Sequence, residues 1–567
     1  MTESSTKLYQ RPPSVKLALV ALVVSSSSSV MADESPVPTS SKSISSSMAV
    51  PTPNPEPPEL GGAIIGNINV INENIFNTAD PEENRTIHRW ANALHIKTKP
   101  DVVSAQLLFT TGETYDKRLI EESERLLRSN RYIRDATITP RRYENGVVDL
   151  DVRTSDVWTL SPSISFGRGG GKNTGGIGLK EYNLLGRGRY VGVSYKSDVD
   201  RDTTSFRYVD RNISGTRYQL ITEYGNASDG FSQRLEVLRP FFELDARRAG
   251  GVAFNSGRKT ESLYDLGEIA SQFEHRFKNL EGHFGWSKGL EGDWTRRYVA
   301  GFAYDAHEFG VAPDSTYLAT ALPVDRKYVY PFLGVELLQN DYVTTRNFDQ
   351  MNRTEDRHLG MRASFRLGYA DQALGSYDNA WLYEGDLSKT LLRTSKSTIE
   401  VGANLTGRLE NGESRNAQFS LTSRYDKRQS ENRLLHVSLT ASVGQNLDLE
   451  NTAYIGGDNG LRGYPLRYQA GDSSVLFTIE QRLFTDWYPF RMFNIGGAAF
   501  FDAGRTWGSD PAAGKNYGWL RNVGVGLRIG STRSGLGRMI HVDLAYPLDG
   551  GKDISNVQLL VEARKGF

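Results

Sequence analysis

Val475-Leu-Phe-Thr-Ile-Glu-Gln-Arg-Leu483 is the stretch whose reading decides the fold. Val475, Phe477, Ile479 and Gln481 share one face of it, while Leu476, Thr478, Glu480 and Arg482 share the other. A period of two predicts a β-strand with one apolar and one more polar side. The same alternation recurs outward in both directions, at 398–405, 418–425 and 436–443 before it and at 494–501, 523–529 and 540–546 after it. It also fills 163–167, 174–184, 190–195 and 218–224, with Gly, Asp and Asn turns between segments. A water-soluble sandwich would alternate as well. However, the stripes run from residue 155 to the end without a domain break. The longer ones suit the roughly 9–11-residue tilted spans of a bilayer. Trp286, Trp294, Trp487, Tyr488 and Phe490 fall near segment ends, as aromatic girdles do. The expectation is a mainly β chain whose body, 155–567, is a transmembrane antiparallel β-barrel.

Composition agrees. The 567 residues hold 56 glycines, 27 tyrosines and 24 phenylalanines, which favours many short strands over helices. Lys+Arg and Asp+Glu both number 67, so no net charge points to nucleic acid. There is no cysteine, which excludes disulfides and thiolate metal sites. No apolar run approaches the roughly 18 residues of a spanning helix. A membrane position therefore requires a closed barrel, in which every backbone group is paired.

Ahead of the barrel, Lys7, Arg11 and Lys16 precede the apolar run 17–24, and Val30-Met-Ala32 supplies small residues for cleavage. Residues 1–32 read as a signal peptide. The Ser/Pro-rich stretch 33–62 reads as a disordered tether. In 63–154, a strand opens at Ile64, and Ile87, Trp90, Ala91 and Leu94 predict a helix over 84–95. A second helix is expected over 116–128, with Leu119, Ile120, Leu126 and Leu127 on its buried stripe. Strands over 136–139 and 147–152 flank Asn145-Gly146, a type I′ hairpin signal.

Between the strand patterns 434–443 and 475–483 lies Ile455-Gly-Gly-Asp-Asn-Gly-Leu-Arg-Gly-Tyr-Pro-Leu-Arg-Tyr468, material poor for either helix or strand. Such a loop could cap a site, line a pore or sit on the surface. Inside a barrel, Arg462 would need a carboxylate, and Glu480 and Asp502 are the candidates downstream. Parity puts Phe500, Asp502 and Gly504 on one strand face, which would offer a guanidinium a bidentate partner and an aromatic ring together.

The β-α-α-β-β order, with Glu121-Glu-Ser-Glu-Arg-Leu-Leu-Arg128, resembles a POTRA domain, a periplasmic module that offers a sheet edge to unfolded chains. Gly460-Leu-Arg-Gly-Tyr464 resembles the Arg-Gly-Tyr/Phe loop of the BamA/TamA superfamily (the bacterial surface antigen family), and Phe500-Phe-Asp-Ala-Gly504 resembles its Phe-x-Asp-x-Gly strand. Glu181-Tyr-Asn-Leu-Leu-Gly186 and the terminal Gly566-Phe567, similar to a C-terminal β-signal, complete the likeness; Lys565 departs from the strongest form of that signal. The resemblance implies that the loop, 447–472, folds into the lumen and that Arg462 meets Asp502, with Glu480 adjacent. It implies sixteen strands, whereas the pattern itself gives about twenty; sixteen is the expectation adopted. It also implies a weak seam between 160–166 and 557–567 that opens laterally.

An enzyme is not expected. The eight histidines are scattered, there is no Gly-x-Ser-x-Gly elbow, and Gly167-Arg-Gly-Gly-Gly-Lys172 reads as a hairpin turn rather than a phosphate loop. No cofactor or metal is expected. The function expected is an outer-membrane insertase or translocase. Its partners would be the lipid bilayer, unfolded client proteins and periplasmic or lipoprotein partners of the POTRA domain, with no nucleic acid. The expected location is the bacterial outer membrane with the POTRA domain in the periplasm. The alternatives are a passive porin or a dedicated two-partner secretion pore.

Overall fold

The computed structural model describes residues 60–313, 315–317, 322–350, 353–531, 533 and 539–564. The expected signal peptide, nearly all of the expected tether, and Gly566 and Phe567 lie outside the described residues.

The N-terminal module is a three-stranded sheet in which Val147–Asp156 lies between Ile64–Glu73, parallel to it, and Ile133–Glu144, antiparallel to it. Asn145 and Gly146 turn the hairpin with φ of 50° and 76°, the left-handed values a type I′ turn needs. Val148, Leu150 and Val152 alternate inward and are fully buried. Ile120 and Leu127 of the helix Lys117–Arg128 pack on them, and Asp116 caps that helix by accepting the Arg118 N–H. Leu60 is already in this core, so folding starts slightly before residue 63. The other expected helix, Thr86–Leu94, sits where periodicity puts it, but Ile87, Trp90 and Leu94 face outward, and a short helix, Pro100–Ser104, follows it.

Beyond the module, twenty antiparallel strands close into one barrel, from Leu160–Gly169 to Gln558–Arg564. The expectation of sixteen is corrected upward. Arg248–Asp265, Glu268–Glu291, Trp294–Val311, Arg326–Gln339, Arg362–Ala370 and Ala380–Arg393 are all wall strands, not hairpins standing off the membrane. The hairpin that does stand apart in this region is Tyr342–Arg346 with Thr354–His358, and it lies on the module's side.

Alternation sorts the wall into two surfaces. In Leu520–Gly530, Val523, Val525 and Leu527 are exposed on the outside, while Asn522 and Arg528 are buried inside. Met539–Pro547 does the same, with Ile540, Leu544 and Tyr546 out and His541 and Asp543 in. An apolar exterior around a closed sheet is the surface a bilayer covers. No helix among the described residues is long and apolar enough to cross a membrane.

The module is fastened to the rim. Asp156, fully buried at the end of the module, accepts from the Thr98 N–H at 2.8 Å, the Thr98 hydroxyl at 2.9 Å and His95 Nε2 at 2.8 Å, and the Thr98 hydroxyl so held accepts from Asn183 Nδ2 of the barrel at 2.8 Å. Arg128 grips Asp356 of the Tyr342–His358 hairpin at 2.7 and 2.8 Å. Glu122 accepts the Leu244 N–H at 2.8 Å, and burial pushes its carboxyl above the usual range despite that bond. Burial likewise pushes the Tyr132 phenol up to about 12.

Candidate functional site: the lumen loop and its charge cluster

The segment between Arg433–Gln445 and Ser473–Phe484 turns back into the barrel. Ile455, Leu461, Tyr464 and Tyr468 form an apolar cluster there with Leu520 of the wall. Gly460 takes φ +115°, a conformation that swings the chain at the loop tip and that a side chain would strain. Next to it, Arg462 is 3% exposed.

Arg462 points at the wall. Its Nε donates to Asp502 Oδ2 at 2.9 Å and its Nη2 to Asp502 Oδ1 at 2.8 Å. Its Nη1 donates to Glu480 Oε2 at 2.8 Å, and the Phe500 ring lies beneath its guanidinium carbon at 3.3 Å. All three partners named from the sequence therefore meet it. Gly504 keeps the same face flat: a Cβ there would come within 3.3 Å of Leu461 Cδ1. Leu461, Gly463 and Tyr464 complete the motif. Gly463 lies against Asn522, and the Tyr464 hydroxyl donates to Arg521 O at 2.7 Å and accepts the Arg521 N–H at 2.9 Å.

The structure adds residues that the sequence reading missed. Asp543 accepts from Arg462 Nη1 at 3.3 Å and from Arg528 Nη1, and Arg528 Nη2 also reaches Glu480 at 3.3 Å. Arg482 donates to Glu480 at 3.0 Å. Asn522 and the Thr478 hydroxyl donate to Asp502 at 2.8 and 2.9 Å. Arg462, Arg482 and Arg528 thus face Glu480, Asp502 and Asp543, a balanced set in which each charge has opposite neighbours. Such balance is what lets six ionised groups stay out of water. A signal for the missed pair existed. Arg528 and Asp543 are each a charged residue on the face of a strand opposite its apolar side.

The loop also reaches the seam. A Cβ placed on Gly169 would lie 3.0 Å from Leu560 of the last strand and 3.4 Å from Leu466 of the loop. Among the described residues, the last strand pairs with the first only at Val561 and Arg168. Its other neighbour stays in register with it from Met539↔Arg564 to Ala545↔Gln558.

The Tyr342–His358 hairpin enters the lumen from the module's end. Phe348 packs with Leu434, Phe484, Ala498 and Met539, and Asp349 accepts from Arg424 at 2.7 Å. Between hairpin and loop remains a chamber of about 1100 Å³, with Arg353, Arg357, Arg424, Arg462 and Arg482 among its lining residues. Elsewhere on the wall, His275 Nε2 stands 2.8 Å from His307 Nδ1, and Glu261 and Asp305 flank the pair at 3.0 Å each. Sequence spacing gave no sign of that pairing.

Fold and site together define a membrane-spanning β-barrel whose lumen is filled from both ends. No protein-family profile matches the chain, and no curated protein does. Solved structures similar to it include BamA from Haemophilus ducreyi lacking POTRA domains 1–3, at 12% identity over 88% of this chain and 84% of that one, TM-score 0.39. CdiB from Acinetobacter baumannii is similar at 14% identity over 88% and 74%, TM-score 0.42. CdiB from Escherichia coli is similar at 12% identity over 88% and 76%, TM-score 0.46.

Proposed function

We propose that this chain is an outer-membrane protein insertase or translocase of the BamA/TamA kind, with its POTRA-like module in the periplasm. The observation that carries this reading is the placement of the Arg462 lock beside the seam. One loop binds the Asp502 wall with its arginine and, through Leu466, reaches Gly169 of the first strand, the same glycine that Leu560 of the last strand lies against. A weak seam that parts restores a strand edge inside the membrane, where a client strand can pair its backbone instead of burying unpaired groups. The module supplies a place to receive that client. Ile133–Glu144 is an edge strand, exposed from Thr139 to Glu144, and an extended peptide can add to such an edge. No nucleotide, metal or covalent step is needed, because client folding provides the free energy. A lumen filled by the loop and by the Phe348 hairpin supports a gated device over a standing pore.

The test is reconstitution in liposomes with an unfolded barrel client. Faster client insertion than in protein-free liposomes is expected. Steady ion conductance with no effect on the client would favour the passive porin.

A further inference from the structure

Helix Thr86–Leu94 is fastened by its polar side and turns its apolar side out. Ile87, Trp90 and Leu94 are 53%, 69% and 71% exposed, and Ile96 beyond the helix end is 53% exposed. Spaced at three and four residues, the first three form one stripe. On the opposite side, His88 stacks on Phe76 at 4.3 Å, and its Nε2 lies 3.2 Å from the Phe490 carbonyl oxygen. Apolar side chains left in water forgo the stabilisation that burial gives, and a contiguous patch of this kind marks a contact surface.

The fastening points say where the stripe lies. Phe490 sits in the rim turn between Ser473–Phe484 and Asn494–Trp507. Glu83, just ahead of the helix, pairs with Arg533 in the rim turn between Leu520–Gly530 and Met539–Pro547. Just past it, the Lys99 N–H donates to Gly186 O at 2.9 Å, in the turn between the second and third strands. These turns bracket the seam, so the helix runs along the rim beneath the first and last strands. The turns themselves expose apolar side chains, with Trp487 65%, Phe490 64% and Leu185 61% exposed. The helix stripe thus shares this rim with further exposed apolar side chains.

Charge narrows the occupant. From Asn84 to Pro100 the chain has no carboxylate but contains Arg85, Arg89, Lys97 and Lys99. Glu82 and Glu83, just before, are each paired with an arginine of the rim. A helix with an apolar stripe carrying Trp and Leu, and basic residues around it, suits the headgroup boundary of an anionic membrane. Tryptophan favours that depth. We propose that Thr86–Leu94, with Ile96, lies in the leaflet on the module's side, directly below the seam, and contacts anionic phospholipid. This places an inserted helix where the wall is weakest, and it stands independently of what the barrel does with clients.

The absence of cysteine makes the test direct. Trp90→Cys and Leu94→Cys each provide one labelling site in the full chain, and Glu144→Cys, at the far hairpin of the module, provides the control. Each is labelled with a polarity-sensitive nitrobenzoxadiazole and reconstituted in phosphatidylcholine vesicles containing phosphatidylglycerol. Emission from positions 90 and 94 is expected to shift to the blue and to be quenched by lipids carrying a doxyl group about 5–10 Å below the headgroups, with position 144 unaffected. Quenching of 90 and 94 by aqueous iodide as readily as 144 would overturn the proposal. So would protection that develops only when an unfolded client is added, or only at high protein density, since those outcomes give the stripe to a client or to a second copy. Equal doxyl quenching in vesicles of phosphatidylcholine alone would overturn the anionic part.

Discussion

Arg462 meets Asp502 with two arms of its guanidinium, Nε to Oδ2 at 2.9 Å and Nη2 to Oδ1 at 2.8 Å, across forty positions of chain. The contact ties a glycine-rich loop, which has little reason to hold a shape by itself, to a strand that cannot move without its neighbours. Because Glu480, Asp543, Arg482 and Arg528 extend the pair, the loop position and the ionisation of the wall are one problem.

Removing one member should therefore be costly. Arg462→Ala leaves Asp502 and Glu480 facing only part of their positive charge, and breaking a buried pair costs about 3–5 kcal/mol. The barrel is expected to form but to lose its compact, heat-modifiable gel migration at lower temperature. Arg462→Lys should restore little, since an ammonium neither forks onto Asp502 nor stacks on Phe500. The double variant Arg462→Met/Asp502→Asn leaves Arg482 and Arg528 against Glu480 and Asp543, a balanced remainder. It should be less destabilised than the sum of the singles, and a double-mutant cycle on the gel-shift temperature measures the difference.

Loop seating can be tested without touching charge. A Cβ on Gly463 would lie 2.7 Å from Asn522 Cβ and 3.3 Å from Pro547 Cα, both on the wall. Gly463→Ala must push the loop off that wall, and overpacking of this kind costs about 1–3 kcal/mol. The expected readout is faster cleavage within 456–468 by protease added outside intact cells, with the barrel still folded. Unchanged cleavage would mean that the loop finds another seat.

Much of this site was legible because strand parity is rigid: once Asp502 faces inward, Phe500 and Gly504 must follow. Arg528 and Asp543 were missed because parity says which face a residue takes, not which other strand lies across the lumen. The strand number went astray where resemblance overrode pattern; the alternation alone gave about twenty. Trp90 marks a different limit. Periodicity located its stripe, but a stripe carries no sign of whether it faces a sheet or a membrane. The inward hairpin around Phe348 had no local signal, since its stability comes from Leu434, Phe484 and Met539, which are distant in sequence.

The docking of the module should depend on pH through Glu122. Burial raises its carboxyl above the ordinary value of 4.5, partly opposed by the Leu244 N–H and by Arg125 and Arg118. The folded state thus binds the proton more tightly than the unfolded state does. The corresponding stability is fully present below the unfolded value and is lost as pH rises through the folded one. Glu122→Gln keeps an oxygen for Leu244 and removes the titration. The urea midpoint for detachment of the module, read by energy transfer between one dye on each part, should rise from neutral pH towards 4.5 in the parent and rise less in the variant. Parallel pH profiles would sink this assignment.

Seam opening is the step that the proposed activity requires most. Among the described residues the last strand meets the first at Val561 and Arg168, so few backbone bonds between them, each worth about 0.5–1.5 kcal/mol, hold the wall together there. Directly opposed antiparallel residues have Cβ atoms about 4.5–5.5 Å apart, close enough for a disulfide after slight adjustment. Arg168→Cys/Val561→Cys introduces the only two cysteines in the chain, so no other bridge can form. The oxidised protein should remain heat-modifiable and embedded but should stop accelerating client insertion, and a reductant should return it to full rate. Each single-cysteine variant should be indifferent to oxidant. If the bridged protein inserts clients as fast as the reduced one, the strands need not part, and the loop beside them serves only to brace the wall.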